Sequence, residues 1–122
     1  MPFQRILGEL LQSCHGAVGA IFLDHEGEAV ALRSERVFDI GDYGLKAIGA
    51  YSGMFLSNAR RLSQGIEGGE PQRLTISFDH AKVLSCPLKD GYYLVLVVDR
   101  QANEGLAWQR MRECRASLLE EM

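Results

Sequence analysis

The chain has 122 residues, of which 47% are hydrophobic and 24% are charged, a composition typical of one folded globular domain. Its formal net charge of -3 disfavours nucleic acid as a ligand, since domains that bind nucleic acid are usually basic. No apolar run approaches the ~20 residues of a transmembrane helix. Three widely spaced cysteines favour free thiols in a reducing compartment over a disulfide framework. We therefore expect a single cytoplasmic domain over residues 1–122.

The first three elements are predicted to be a helix and two strands. Apolar residues recur with helical spacing over residues 3–11, and Gly16 is a suitable end for that helix. Residues 16–32 then read GAVGAIFLDHEGEAVAL. The nearly unbroken apolar run before Asp24 is typical of a strand buried on both faces. The alternating pattern after the turn predicts a second strand near an edge of the sheet.

A long helix is predicted from about Tyr43 to Ser63, with Asp39 or Asp42 as its cap. One side of it carries Leu45, Ile48, Ser52, Phe55, Leu56, Ala59 and Leu62. The helix is interrupted by three glycines, Gly44, Gly49 and Gly53. Each costs about 1 kcal/mol relative to alanine in a helix. We interpret them as positions where another backbone packs closely, such as a second copy of the same helix.

Three more strands and a final helix complete the predicted order. A half-buried strand is indicated where polar residues alternate with Leu74, Ile76 and Phe78. It contains no charge or proline of the kind that protects a strand at a sheet edge. Residues 82–88 predict a short strand, and the YYLVLVV run over residues 92–98 predicts another central strand. Asn103 is a candidate N-cap for the last helix.

No motif in the sequence predicts a catalytic, cofactor or metal site. Cys14 and His15 are adjacent in sequence at a helix end, where neighbouring side chains rarely point together, and no third group is available to orient them. The histidines lack the spacing of a metal site. The glycine-rich segment over residues 65–69 lacks the Lys-Ser/Thr of a phosphate-binding loop.

For several arginines and for the single tryptophan, the sequence is compatible with either a structural role or a contact with a partner. Arg60 and Arg61 near the end of the long helix are either solvated charges, which favour a helix C-terminus, or contacts with an acidic partner. The same choice applies to Arg33 and Arg36. Trp108 on the last helix is either a contact with the sheet or an exposed anchor for a partner.

The chain resembles a known family at the level of these segments. The order of elements, the GAVGAIFLDHEGEAV hairpin, the long second helix and the segment PLKDGYYLVLVVDRQANEG resemble the roadblock/dynein light chain family, closest to its bacterial MglB-like branch. The resemblance covers residues 3–118. It implies an α+β fold in the order α-β-β-α-β-β-β-α, with one five-stranded antiparallel sheet. The second helix is expected on one face and the other two helices on the opposite face.

The resemblance also implies a function carried by surfaces. Family members generally form dimers in which the third strands pair and the second helices pack side by side. The corresponding dimer interface here is Leu74, Ile76, Phe78, Gly49 and Gly53. The family implies a non-enzymatic regulator or scaffold of a small Ras-like GTPase, which stimulates GTP hydrolysis by repositioning the GTPase's own groups. For the GTPase surface we predict Lys46, Ala50, Met54 and Arg61, because their spacing places them away from the sheet.

Two other functions remain compatible with the sequence. A sheet flanked by helices can also hold a small ligand, since fold alone does not fix function, and the glycines of the second helix would then border a ligand cleft. The chain could equally be a structural subunit of a motor or of a membrane-associated complex. Neither alternative requires a cofactor or a metal.

Overall fold

The computed structural model describes residues 2–35 and 41–122, so Arg36 and Asp39 lie outside the described residues. The elements are α1 (Pro2–Ser13), β1 (Ala17–Leu23), β2 (Ala29–Ser34), α2 (Gly41–Ile66), β3 (Leu74–Ser77), β4 (Ala81–Pro87), β5 (Tyr93–Asp99) and α3 (Glu104–Glu121). The predicted order α-β-β-α-β-β-β-α is therefore confirmed. The sequence determined this order because apolar residues change from a spacing of two to a spacing near 3.6 between strands and helices.

The five strands form one antiparallel sheet in the order β2-β1-β5-β4-β3. Every residue of β1 is buried, and so are the first six residues of β5. This agrees with their nearly continuous apolar sequence, which a strand covered on both faces requires. The shorter and more polar β2 and β3 form the two edges, as their alternating sequences predict.

Helices cover both faces of the sheet. Phe22 and Leu96 belong to the core beneath α1 and α3, whereas Ile21 and Val95 belong to the core beneath α2. Because successive strand residues point to opposite faces, two separate cores share the same strands. The layering expected for a roadblock domain is thus confirmed.

Local hydrogen bonds explain where the elements begin and end. Gly16 follows α1 with a φ of 91°, a left-handed conformation that glycine adopts without a Cβ clash. In the β1–β2 turn, the Asp24 carboxylate accepts hydrogen bonds from the backbone N–H groups of Glu26 and Glu28, at 2.9 and 3.0 Å. At the start of α3, the Asn103 side chain accepts from the Leu106 N–H at 2.9 Å, which confirms the predicted cap.

Helix α2 differs from its prediction in length and in orientation. It runs from Gly41 to Ile66, so Asp42 lies within its first turn, where a carboxylate interacts favourably with the helix dipole. Phe55 and Leu62 are 42% and 70% exposed, so the prediction that they share one side of the helix with the buried Leu45 and Leu56 was wrong. Leu45, Ser52 and Leu56 face the sheet, and Phe55 and Leu62 are rotated roughly 100° away from them around the helix.

Candidate functional site

The outer side of α2 carries a stripe of large apolar side chains. We call it the outer stripe of α2, and its members are Tyr43, Tyr51, Met54, Phe55, Leu62 and Ile66. Each of them is at least 42% exposed, and Tyr43 reaches 83%. Spacings of three, four and seven residues place them on one side of the helix. Large apolar patches that are left exposed commonly mark protein interaction sites.

The four predicted GTPase-contacting residues all lie on the exposed side of α2. Lys46, Ala50 and Met54 follow one another at intervals of four residues, and Arg61 lies two turns beyond Met54. All four are exposed, and Met54 also belongs to the outer stripe of α2. The structure brings them together along one line of the helix, and their contact with a partner stays a prediction.

The two glycines assigned to the dimer interface face the chain's own sheet. A Cβ added to Gly49 would lie 2.7 Å from Leu23 Cδ2, and one added to Gly53 would lie 2.8 Å from Tyr93 Cζ. The Tyr93 hydroxyl also donates a hydrogen bond to the Gly49 carbonyl at 2.9 Å. The close neighbour expected from these glycines is therefore the sheet of the same chain, which corrects their assignment to a contact between copies.

Strand β3 forms an open edge. Within the described residues it pairs with β4 alone, so the backbone groups on its other side have no strand partner. Leu74 and Ile76 are half-buried, and Phe78, which follows the strand, is 60% exposed. An apolar edge without charge or proline is suited to pairing with another strand. The role of these three residues in a dimer stays a prediction.

A cleft of about 420 Å³ lies between the β1–β2 turn and α2. His25, Gly53, Arg60 and Tyr93 contribute to its wall. Arg60 is already paired with Glu70, at 3.2 Å between Nε and Oε2. Burial, with a smaller contribution from the Asp24 charge, raises the pKa of Tyr93 to about 12, so its hydroxyl stays protonated. If the chain were a small-ligand sensor, this cleft between the β1–β2 turn and α2 would be the candidate site for a small polar ligand.

Cys14 and His15 do not form a nucleophile and a base. The Cys14 side chain is buried and His15 is exposed, and burial raises the pKa of the Cys14 thiol, which disfavours the reactive thiolate. His25 and His80 are exposed in turns. Over residues 2–35 and 41–122, no three His, Cys, Asp or Glu side chains are grouped so that they could hold a metal ion.

Arg33 and Trp108 have contacts within the chain. The Arg33 guanidinium lies beside Gly8 and donates to the Gln4 carbonyl at 3.4 Å. Trp108 is 8% exposed and belongs to the core beneath α1 and α3, which supports its interpretation as a contact with the sheet. The guanidinium of Arg73 lies 5.1 Å from the centre of its ring. This contact could not be predicted from the sequence, because no local pattern links the residue before β3 to α3.

Among the described helices, none combines the length and the hydrophobicity that a membrane span would need.

Comparison of the sequence alone found no relative: no protein-family model matches it, and neither does any curated protein. Comparison of the structure gave clear neighbours. A roadblock/LC7 domain from Streptomyces avermitilis is similar with a TM-score of 0.87 and 14% identity, over 97% of this chain and 95% of that chain. MglB from Myxococcus xanthus has a TM-score of 0.85 and 12% identity, over 98% of this chain and 86% of that chain.

A further neighbour is an MglB with a tetrameric arrangement. Its TM-score is 0.82 and its identity is 18%, over 96% of this chain and 87% of that chain. At such identities the likeness lies in the path of the backbone and the order of the elements. The protein therefore has the fold of roadblock/LC7 domains, and MglB proteins are among its structural neighbours.

Proposed function

We propose that this protein is a homodimeric, non-enzymatic regulator or scaffold of a small Ras-like GTPase. The observation that carries the proposal is the outer stripe of α2, six large apolar side chains exposed on a helix that roadblock domains use for association. The resemblance to the MglB-like branch implies the GTPase partner, and the shared fold supports carrying that expectation over to this chain.

The dimer part of the proposal combines an open strand edge with an apolar helix. In a dimer, β3 would pair with the β3 of the second copy across a two-fold axis. The backbone N–H and C=O groups on its open edge, which have no strand partner within one chain, would then form hydrogen bonds. Phe78 at the end of β3 would become covered, as would part of the outer stripe of α2. The tetrameric arrangement of a neighbouring MglB supports self-association as a property of this fold.

The GTPase part of the proposal places the partner beside the paired helices. Lys46, Ala50, Met54 and Arg61 offer it two positive charges next to apolar surface. The chain would act either by repositioning the GTPase's own catalytic groups, which accelerates GTP hydrolysis, or by holding the GTPase in its active state. No arginine finger is needed in this mechanism.

The dimer is tested by placing a charge at the edge strand. In Phe78→Lys, we expect a monomer in analytical ultracentrifugation, because a desolvated lysine would have no partner at the interface. His80→Lys, two residues further along the same turn and also exposed, is the matched control and should remain a dimer. The more deeply placed Ile76→Lys should give a monomer or insoluble protein. A soluble, intact dimer after Ile76→Lys would contradict the strand-paired arrangement.

The GTPase partner is tested by capture from lysate of the native cells. The tagged protein is incubated with either a non-hydrolysable GTP analogue or GDP, and mass spectrometry identifies what is retained. We expect a small GTPase that is enriched with the GTP analogue. Its hydrolysis rate is then measured with Arg33→Ala, Arg60→Ala and Arg61→Ala. Loss of an arginine finger would cost roughly 10³-fold or more in the stimulated rate even at a saturating concentration of this protein. We expect near-full stimulation at saturation in all three variants, whereas Arg61→Ala should need a higher concentration to reach it because Arg61 belongs to the proposed contact surface.

A small-ligand sensor is the second candidate, and the cleft between the β1–β2 turn and α2 is the observation that favours it. A monomer whose melting temperature rises with a ligand would support it. Recovery of a motor or membrane-associated subunit, with no GTPase under either condition, would favour a structural subunit.

A further inference from the structure

A second surface lies on the face of the sheet opposite α2. We call it the arginine groove, a cavity of about 280 Å³ lined by Gln72, Arg73, Cys86, Trp108, Met111, Arg112 and Arg115. Its floor consists of Cys86, Trp108 and Met111, which are buried in the core beneath α1 and α3. The three arginine side chains line the groove beside this floor. The groove therefore combines an apolar floor with positive charge.

The groove exists because α3 does not extend over the β3 edge. Leu74 packs towards α2, so the next residue, Thr75, and then Ser77 point to the opposite face. Both are exposed, which means that none of the described helices covers this side of β3. The step between α3 and the uncovered strand leaves the space in which Arg73 and Trp108 meet.

The three guanidinium groups are available to an anion. Arg73 stacks over Trp108, with 5.1 Å between its Cζ and the ring centre, and its N–H groups have no hydrogen-bond partner within residues 2–35 and 41–122. Arg115 donates from Nε to the Pro87 carbonyl at 2.9 Å, and its two terminal nitrogens have no partner in the part of the chain that the structure describes. Within the described residues, no carboxylate lies within ion-pair distance of Arg73, Arg112 or Arg115.

Three other arginines have carboxylate partners, whereas within the described residues Arg33, Arg61 and Arg100 form no ion pair but lie apart from one another and from the groove. Ion pairs join Arg5 to Glu9, Arg60 to Glu70, and Arg110 to Glu113. The chain as a whole carries a formal net charge of -3. Three unpaired arginines around one tryptophan therefore form a local positive surface on an acidic protein, and the complementary ligand is negatively charged.

The shape of the surface favours an extended ligand. A second cavity of about 520 Å³ adjoins the arginine groove, since Gln72 and Arg115 line both. The two cavities together follow the chain around the start of β3. The second cavity is also lined by Glu70 and Asp90, so acidic side chains fit the arginine groove and an uncharged side chain fits the second cavity. A single small anion would occupy only part of this path, whereas a peptide segment could extend along both cavities.

We propose that the arginine groove binds an acidic peptide segment of another protein. Carboxylates of the segment pair with Arg73, Arg112 and Arg115, which are suited to bidentate contacts, and an apolar side chain packs on Trp108 and Met111. The negative net charge disfavours nucleic acid, and the recessed floor disfavours a flat membrane surface. The groove lies on the face opposite α2, so it could be occupied while α2 contacts the GTPase.

The test uses Trp108 fluorescence, because this is the only tryptophan of the chain. The probe is a capped peptide of sequence Asp-Glu-Leu-Asp-Glu-Leu, and its control has every acid replaced by the matching amide. We expect a saturable change in emission with the acidic peptide that weakens as salt is added, and no change with the amide peptide. Calorimetry on the same samples gives an independent affinity.

Charge reversal locates the binding surface. Arg112 is exposed, and within the described residues its side chain forms no hydrogen bond or ion pair, so Arg112→Glu should fold normally and bind the acidic peptide about tenfold more weakly. Arg61→Glu makes the same change of charge on the exposed side of α2 and should bind it like the wild type. Equal binding of the amide peptide, or unchanged affinity in Arg112→Glu, would overturn the proposal. Binding to phosphatidylserine vesicles without binding to the peptide would also overturn it.

Discussion

Glycines within α2 occupy different environments, and substitution by alanine separates them. A Cβ at Gly53 would meet Tyr93, whose ring is 4% exposed and whose hydroxyl is fixed by its hydrogen bond to Gly49. The ring therefore has little room to move. Overpacking of about 1–3 kcal/mol would exceed the ~1 kcal/mol gained in helix propensity. We expect Gly53→Ala to lower the free energy of unfolding, measured by urea denaturation.

Gly65 provides the matched control on the same helix. A Cβ at this position has no atom within 4 Å, so Gly65→Ala gains only the helix propensity and should raise stability by about 0.5–1 kcal/mol. Stabilisation by both substitutions would contradict the tight packing of α2 on Tyr93.

Three buried protonated groups predict a loss of stability in alkali. Burial raises the pKa of Cys86 from 9.0 to about 11, of Tyr93 from 10.0 to about 12, and of Cys114 from 9.0 to about 12. The folded chain thus binds these protons more tightly than the unfolded chain does. The stability that these protonated groups contribute to the free energy of unfolding is fully present below pH 9, the ordinary pKa of a thiol. It should be lost as the pH rises from about 9 to about 12, the highest of the raised pKa values.

Urea denaturation at a series of alkaline pH values measures this loss. In Tyr93→Phe, the part of the loss that begins near pH 10 should be absent, although the variant loses the hydrogen bond to Gly49 at every pH. A free energy of unfolding that stays constant between pH 9 and pH 11 would contradict the raised pKa values.

At the scale of elements, α3 depends on its N-terminal cap. Asn103 accepts a hydrogen bond from Leu106, and this satisfies one backbone donor that the first turn leaves free. Asn103→Ala should therefore lower the free energy of unfolding by about 1 kcal/mol. Asn103→Asp retains the acceptor and should match the wild type. Equal loss in both variants would contradict the hydrogen bond to Leu106 as the source of the stabilisation.

The element α2 shows how burial is divided along an amphipathic helix. Its sequence is apolar on two sides, because Leu45 and Leu56 face the sheet while Tyr51 and Leu62 face outward. The periodicity alone merged both sides into one stripe. Only the packing of α2 on the sheet decides which of these residues are buried in the core and which are exposed to a partner.

At the scale of the whole molecule, the two faces offer different chemistry. The side with α2 presents apolar side chains beside an open strand edge, and the opposite face presents the arginine groove. If two copies associate through β3 and α2, association adds stability that depends on concentration.

The melting temperature should therefore rise with protein concentration in the wild type. Phe78→Lys should remove this dependence, because Phe78 is 60% exposed in one chain and would be covered only in the dimer. A melting temperature that does not vary over a hundredfold range of concentration would contradict association through this edge.

Much of the fold could be predicted from local patterns. The buried run in β1, the apolar run in β5 and the cap at Asn103 were all confirmed because each depends on neighbours in sequence. The candidate site was less predictable. Spacing along α2 identified Lys46 and Met54 as outward, but it could not show which element Gly53 contacts.

The sequence by itself determined the order of the elements, the central strands and the two edges, since hydrophobic periodicity and turn residues act over a few positions. The tertiary structure decided which side of α2 is covered, gave Gly49 and Gly53 their neighbours in the sheet, and brought Arg73 to Trp108. These contacts join residues far apart in the chain. Their partners are fixed by the packing of whole layers, and no local pattern encodes that packing.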